Sequence, residues 1–175
     1  MRKNLVIKPL KVSDIKYIMT WVNDPDVVKN LQHFNKKFTK KDEEIYVKKI
    51  LKSKNDFVFS IFLEKDGEYI GQIGIHQISW ENKLGRLSII IKREFWGKNY
   101  AKESIPFILS IAFYKLKLHK IWLMSWSTNK KARRLYKKLG FREEGVLKDE
   151  YFWRGKYHDI IRMGMLKKSL KYTPH

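Results

Sequence analysis

The chain contains no cysteine. That excludes a disulfide framework, a thiolate metal site and a cysteine nucleophile. No apolar run approaches the length of a membrane span. Repeats, low-complexity tracts and long linkers are also missing, so the 175 residues read as one domain over 1–175, with a frayed tail over 167–175. Acidic side chains are scarce: 18 Asp and Glu stand against 38 Lys and Arg, a formal net charge of +20. Such a surface attracts polyanions, the ribosome and other nucleic acid among them, although Lys also fills solvated helix faces in ordinary soluble proteins. Hydrophobic residues at 43% and aromatics at 14% exclude a disordered chain. Near the N-terminus the apolar run Leu5-Val6-Ile7 is too short for a signal-peptide core. The expectation is a cytoplasmic protein that makes no use of a membrane.

Hydrophobic periodicity gives the order of elements. Leu5 to Pro9 reads as a strand. Ser13 caps a helix over Asp14 to Val22, with Ile15, Ile18, Met19 and Val22 at helical spacing, and Asn23-Asp24-Pro25 stops it. Thr39 caps a second helix over Lys40 to Lys52, with acids in its first turn and lysines in its last. Asp56 to Leu63 and Glu68 to Ile78 form a hairpin across Asp66-Gly67, and Gly71 and Gly74 inside it mark a bulge or a close approach. Gly85 to Lys92 is a central strand, followed by a loop and a helix over Ala101 to Tyr114. His119 to Ser125 is another strand, and Asn129 to Leu139 a basic helix ended by Gly140. Glu144 to Phe152 and Tyr157 to Leu166 close the chain as a hairpin. The order is α+β with one strand-helix-strand crossover, hence a central mixed sheet flanked by helices.

Two clusters carry chemistry. Trp96-Gly97-Lys98-Asn99-Tyr100-Ala101 follows the apolar strand Leu87-Ser88-Ile89-Ile90-Ile91 and opens a helix. Backbone N–H groups at such a helix start, with the positive end of its dipole, suit phosphate. Asn129 and Tyr136 lie seven residues apart, two turns along one helix face, with the small Ala132 between them. Together the clusters resemble the acetyl-CoA core of the GNAT superfamily of N-acetyltransferases, in particular its RimJ/RimL-like and spermidine-acetyltransferase-like group. The likeness extends over Trp21-Val22-Asn23-Asp24-Pro25 and over Gly145-Val146-Leu147, Gly155-Lys156-Tyr157 and Asp159. The early helix also resembles acetyltransferases acting on amino-sugar nucleotides and aminoglycosides. Asn99 departs from the family's glycine; Asn is the next most tolerant residue of a left-handed backbone. Pro106 is a second departure. It falls inside the helix if that begins at Ala101, or in a permitted first turn if it begins near Ser104.

The resemblance implies a splayed sheet, acetyl-CoA as co-substrate and no metal. It implies Tyr136 as general acid, and Ile89, Ile90, Ile91, Trp96, Gly97, Lys98, Asn99, Tyr100, Ala101, Asn129 and Ala132 as coenzyme contacts. Arg86 stands where many relatives carry a glutamate base. Arg cannot serve as a base, so it either holds an anionic group of the acceptor or faces solvent. Glu81, His76, Ser125 and ordered water remain as bases, and Arg86, Glu81 and Trp21 are candidates for the acceptor side. The acceptor is a primary amine. An amino-sugar nucleotide and a protein N-terminus rank first, a polyamine or aminoglycoside second, and a homodimer is compatible with each. A different class stays open: a non-catalytic basic module binding CoA, the ribosome or nucleic acid, with Trp122, Trp126, Tyr151 and Trp153 as base-stacking aromatics.

Overall fold

The computed structural model describes residues 5–29, 31 and 36–170. The strands are β1 (Leu5–Pro9), β2 (Phe57–Leu63), β3 (Tyr69–Ser79), β4 (Leu84–Ile91), β5 (Lys120–Trp126), β6 (Arg142–Trp153) and β7 (Lys156–Leu166). The helices are α1 (Ile15–Ile18), α2 (Pro25–Val28), α3 (Lys40–Lys52), α4 (Tyr100–Ser110) and α5 (Lys130–Lys138). One mixed sheet has the order β1-β2-β3-β4-β5-β7-β6, and every pairing is antiparallel except β4 with β5.

That parallel pair is short. Only Leu84 with Lys120, Gly85 with Ile121 and Arg86 with Trp122 are in register, after which the strands part. The remainder of β4, residues 87–91, keeps its partner on the β3 side. A wedge therefore opens at the carboxyl ends of two parallel strands joined by the α4 crossover, where open α/β sheets receive ligands.

Alternation on the central strands assigns the two faces. Ile73, Ile75, Leu87, Ile89 and Ile91 pack with Ile105 and Ile108 of α4 in the larger core. The opposite face of β3 and β4 carries Gln72, Gly74, His76, Arg86, Ser88 and Ile90, which the register brings side by side. The segments around α1 to α3 cover that face with a second core that includes Trp21, Val47, Ile50 and Ile90. Gly71 and Gly74 are close approaches, as the sequence indicates. A Cβ on Gly71 would lie 2.1 Å from the Ile90 carbonyl oxygen, and one on Gly74 2.9 Å from that of Phe57. The register of β2 on β3 shifts beside Gly71.

Helix α3 has the expected bounds, with Thr39 Oγ1 accepting from Asp42 N–H at 3.2 Å and Asp42 accepting from Thr39 N–H at 2.8 Å. The first helix departs from expectation. It begins one residue before Ser13 as a 3-10 turn over Val12–Asp14, with Lys11 at the cap position and the Asp14 carboxylate accepting from Lys11 N–H, and it runs as α-helix only to Ile18. Asp24-Pro25 opens a short new helix: Asp24 accepts from Asp26 N–H, and Pro25 takes the first-turn position where its missing N–H does no harm. Helix α4 starts at Tyr100, so Pro106 lies inside it and gives the Lys102 carbonyl no donor. The chain then widens into a π-helical turn over Ile111–Lys115. The aromatics considered for base stacking are packed instead. Trp126 is buried against Tyr151, Trp153 and His158, and Arg162 covers the Trp122 ring.

Candidate active site

The wedge opens into one long cavity of about 1580 Å³. One end runs between β4, the Trp96–Tyr100 loop and α5; the other runs under α3, over the polar face of β3 and β4.

Backbone conformation builds the first end. Trp96 donates its indole N–H to the Ile91 carbonyl at 2.7 Å, which ties the loop back to the end of β4. Gly97 has φ +76° and Asn99 φ +66°, so the asparagine adopts the left-handed conformation expected of it. Asn99 is the N-cap of α4, and its carbonyl accepts the first helical bond, from Glu103 N–H. Ala101 and Lys102 in that first turn line the cavity, at the positive end of the helix dipole. Lys98 does not: its ammonium lies over the Phe95 ring, 5.2 Å from the centroid.

On the facing wall, Asn129 caps α5 through its Oδ1, which accepts from Ala132 N–H at 3.1 Å. Its carbonyl side is thus taken by the helix. Ala132, Leu135 and Tyr136 line the cavity with Lys131, Arg134 and Lys138. Tyr136 is fixed by the way α5 ends. Phe141 N–H bonds the Tyr136 carbonyl at 3.0 Å, Gly140 N–H bonds Lys137, and Gly140 takes φ +101°. This is a Schellman stop, and its usual apolar contact is the Phe141 ring, 6.0 Å from that of Tyr136. Burial pushes the Tyr136 phenol up to about 12, so it stays protonated at neutral pH.

Side chains from distant elements build the other end. Trp21 is buried there and donates to Tyr69 Oη at 3.3 Å. Glu43 of α3 is 5% exposed; burial, reinforced by neighbouring Asp42, pushes its carboxyl above the ordinary range. His76 Nδ1 sits 3.0 Å from Asp56 Oδ1, and Asp56 also accepts from Ser53 Oγ at 2.6 Å. An ionised Asp56 selects the Nδ1–H tautomer and leaves Nε2 as an acceptor. That Nε2 lies over Gly74, where a Cβ would come within 3.0 Å of it. Burial, with the Arg86 charge beside it, holds His76 below its ordinary value, so it is neutral at pH 7.

Arg86 lines the cavity, half-buried, so of its two expected positions the structure shows the pocket and excludes open solvent. Glu81 is a correction: it is exposed on the turn beyond the ends of β3 and β4 and does not line the cavity. Glu43 and Gln72 were missed. The only sequence signal was an acid in a capped first turn and a glutamine in an apolar strand, and neither reveals what faces it across the fold. Among the described residues no group of three His, Asp or Glu is arranged to hold a metal, and no helix is long and apolar enough to cross a membrane.

Comparison with known proteins bears on this geometry. Residues 4–142 match the acetyltransferase (GNAT) domain model. The chain is 32% identical over 173 residues to a spermidine N(1)-acetyltransferase of Vibrio cholerae, covering 97% of this chain and 96% of that protein. A putative ribosomal N-acetyltransferase of Bacillus subtilis is 28% identical over 104 residues, 59% of this chain and 57% of that protein. The crystal structure of spermidine N-acetyltransferase from Vibrio cholerae in complex with CoA and spermine superposes with a TM-score of 0.87 at 27% identity, covering 95% of this chain and 97% of that one.

Proposed function

The chain belongs to the GNAT acetyltransferase family and is an acetyl-CoA-dependent N-acetyltransferase, and from that premise we propose that its acceptor is a small aliphatic amine with more than one cationic nitrogen. The observation that carries this reading is the polarity of the cavity. Lys102, Lys131, Arg134 and Lys138 line the end suited to an anionic coenzyme, and the acids that line the cavity, Asp42, Glu43 and Asp56, all stand at the end left for the acceptor, beside Lys49 and Arg86. The full-length likeness to spermidine acetyltransferases supports the same choice. The ranking read from the sequence, with an amino-sugar nucleotide or a protein N-terminus ahead of a polyamine, is accordingly reversed.

The site fits acetyl-CoA by the chemistry of its walls: a wedge between parted strands, a helix start, and a basic helix opposite. Bound there, the co-substrate supplies an acetyl group activated on sulfur. Backbone N–H groups from Gly97 to Ala101 receive its phosphates. The small Ala132 leaves room for the slender arm beside α5. Alternate peptide groups of residues 87–91 face the gap, and one N–H among them is placed to steady the carbonyl oxygen. His76 Nε2, oriented by Asp56, takes the proton that the ammonium must lose before nitrogen attacks. Tyr136 donates a hydrogen bond to the departing sulfur. Across the reaction an N–C bond forms, a C–S bond breaks, the sulfur gains one proton, and one proton is released.

A thiol-release assay with acetyl-CoA tests the acceptor. Spermidine, spermine and simple diamines should release free thiol. A higher kcat/KM for an amino-sugar phosphate or a ribosomal N-terminal peptide would overturn the proposal.

A further inference from the structure

At the acceptor end two side-chain atoms, Gln72 Oε1 and Arg86 Nε, are buried without a hydrogen-bond partner, and the Glu43 carboxylate stands beside them without an ion pair among the described residues. No side-chain hydrogen bond or ion pair reaches the Glu43 carboxylate among the described residues, although it is 5% exposed. Gln72 is 7% exposed, lines the cavity, and its Oε1 is sealed from water with no donor. Arg86 lines the same cavity, and its Nε is likewise buried with no acceptor. Asp56 lies in the field of Arg86 but makes no ion pair with it, being bonded to Ser53 and His76. Asp42 is held by Thr39 and Lys36. Glu43 and Arg86 have opposite charges and face one space from α3 and β4, yet they do not meet. Tyr46 lines the cavity with them, and its phenol feels both, Glu43 raising it and Arg86 lowering it.

A buried charge without a partner is costly, so the cavity is complementary to a ligand that supplies both signs. A plain polyamine has only N–H donors and positive charge. It answers Glu43, but it sets a cation against Arg86. A guanidinium in a pocket is suited to a carboxylate, which it grips with two parallel hydrogen bonds.

We infer that the acceptor is a diamino acid, whose terminal amine is acetylated while its α-ammonium faces Glu43 and its carboxylate is held by Arg86. The inference rests on the reading above that the acceptor has several cationic nitrogens, and it adds an anion beside them. The acetyl transfer is the one already written, with the terminal nitrogen as nucleophile.

The test uses matched pairs that differ only by a carboxylate: lysine against cadaverine, and ornithine against putrescine. In the native enzyme the carboxylated member should have the higher kcat/KM by about 10- to 100-fold, the range of a charge-assisted hydrogen-bonded pair. Arg86→Gln should bring that ratio to about one through the KM of the amino acid, and Arg86→Lys should retain part of it. Unchanged acetyl-CoA calorimetry would establish that the variants fold. If diamines and spermidine react but lysine and ornithine do not, or if the ratio survives Arg86→Gln, the diamino-acid inference is overturned while the multi-cationic reading stands. If no amine of either set releases thiol, that earlier reading and the diamino-acid inference fall together.

Discussion

The two ends of the cavity are built by different means. The coenzyme end is made by backbone: two strands parting, a left-handed residue before a helix, and a Schellman stop that sets Tyr136. The acceptor end is made by side chains that reach one space from three elements, α3, β3 and β4, with 43 positions from Glu43 to Arg86. The first is local and basic, the second non-local and of mixed sign, with the cavity's acids set beside Lys49 and Arg86. A coenzyme common to a family can be bound by geometry that many sequences adopt, whereas discrimination between amines depends on which charges face each other across the fold.

Tyr136→Phe is the strongest test of that division. It keeps the ring and its contact with Phe141 and removes the donor. We expect turnover to fall by about 10²-fold or more, with neither substrate's KM moving much. Equal turnover would assign the sulfur's proton donor elsewhere.

Glu43→Gln addresses the other end alone. The KM of a multi-cationic acceptor should rise by about 10-fold, as a charge-assisted hydrogen bond becomes a neutral one. Acetyl-CoA affinity should not change. A parallel rise in the KM of acetyl-CoA would mean that the two ends are not separable. The folded carboxyl of Glu43 lies above its ordinary value, so its contribution to stability is full at low pH and is lost as pH rises through the folded value. Urea melts of the glutamine variant should lack that loss.

Asn99→Ala puts a residue with a Cβ, and no helpful side chain, at φ +66°. It should destabilise the protein by about 1 kcal/mol and raise the KM of acetyl-CoA a few-fold without touching the acceptor. Asn99→Gly should restore both. If alanine affects neither, the left-handed turn does not govern the coenzyme end.

The smallest expected effect is at the start of α3. Thr39→Ala removes the cap that orients Glu43 and Tyr46 and should cost about 1 kcal/mol, visible in the urea midpoint. Asp42, held at about 2 against an ordinary 3.8 by its bonds to Thr39, contributes stability that is present above the ordinary value and lost as pH falls toward 2. Asp42→Asn should flatten that acid limb, and an unchanged limb would show that the capping box is not its source.

The same contrast explains what could be read in advance. The strands, the capped α3, the crossover and the Trp96 to Ala101 and Asn129 to Tyr136 clusters all follow from spacing within one or two elements. The Schellman stop was announced by Gly140 alone. Arg86 was singled out, but its direction was not, because a strand residue with two possible faces is resolved only by what packs on them. Glu81 failed as an acceptor-side candidate for the converse reason: nearness in sequence to the central strand placed it on a turn outside the cleft. The 3-10 entry to α1 was missed because its start is fixed by Asp14, which reaches back to the Lys11 N–H and across the fold to the Ser60 hydroxyl at 2.8 Å, and the second of these partners is not legible in local spacing.

The brief register between β4 and β5 has a mechanical consequence. Four strands on one side and three on the other are stitched together by three residue pairs and the α4 crossover. Such a seam is where a sheet yields first, since few hydrogen bonds between strands must open for the halves to hinge. A molecule seated in the wedge spans both halves and acts as an additional stitch. Amide exchange at residues 87–91 and 123–126 should slow when the wedge is filled, while the outer strands β1 and β6 keep their native rates.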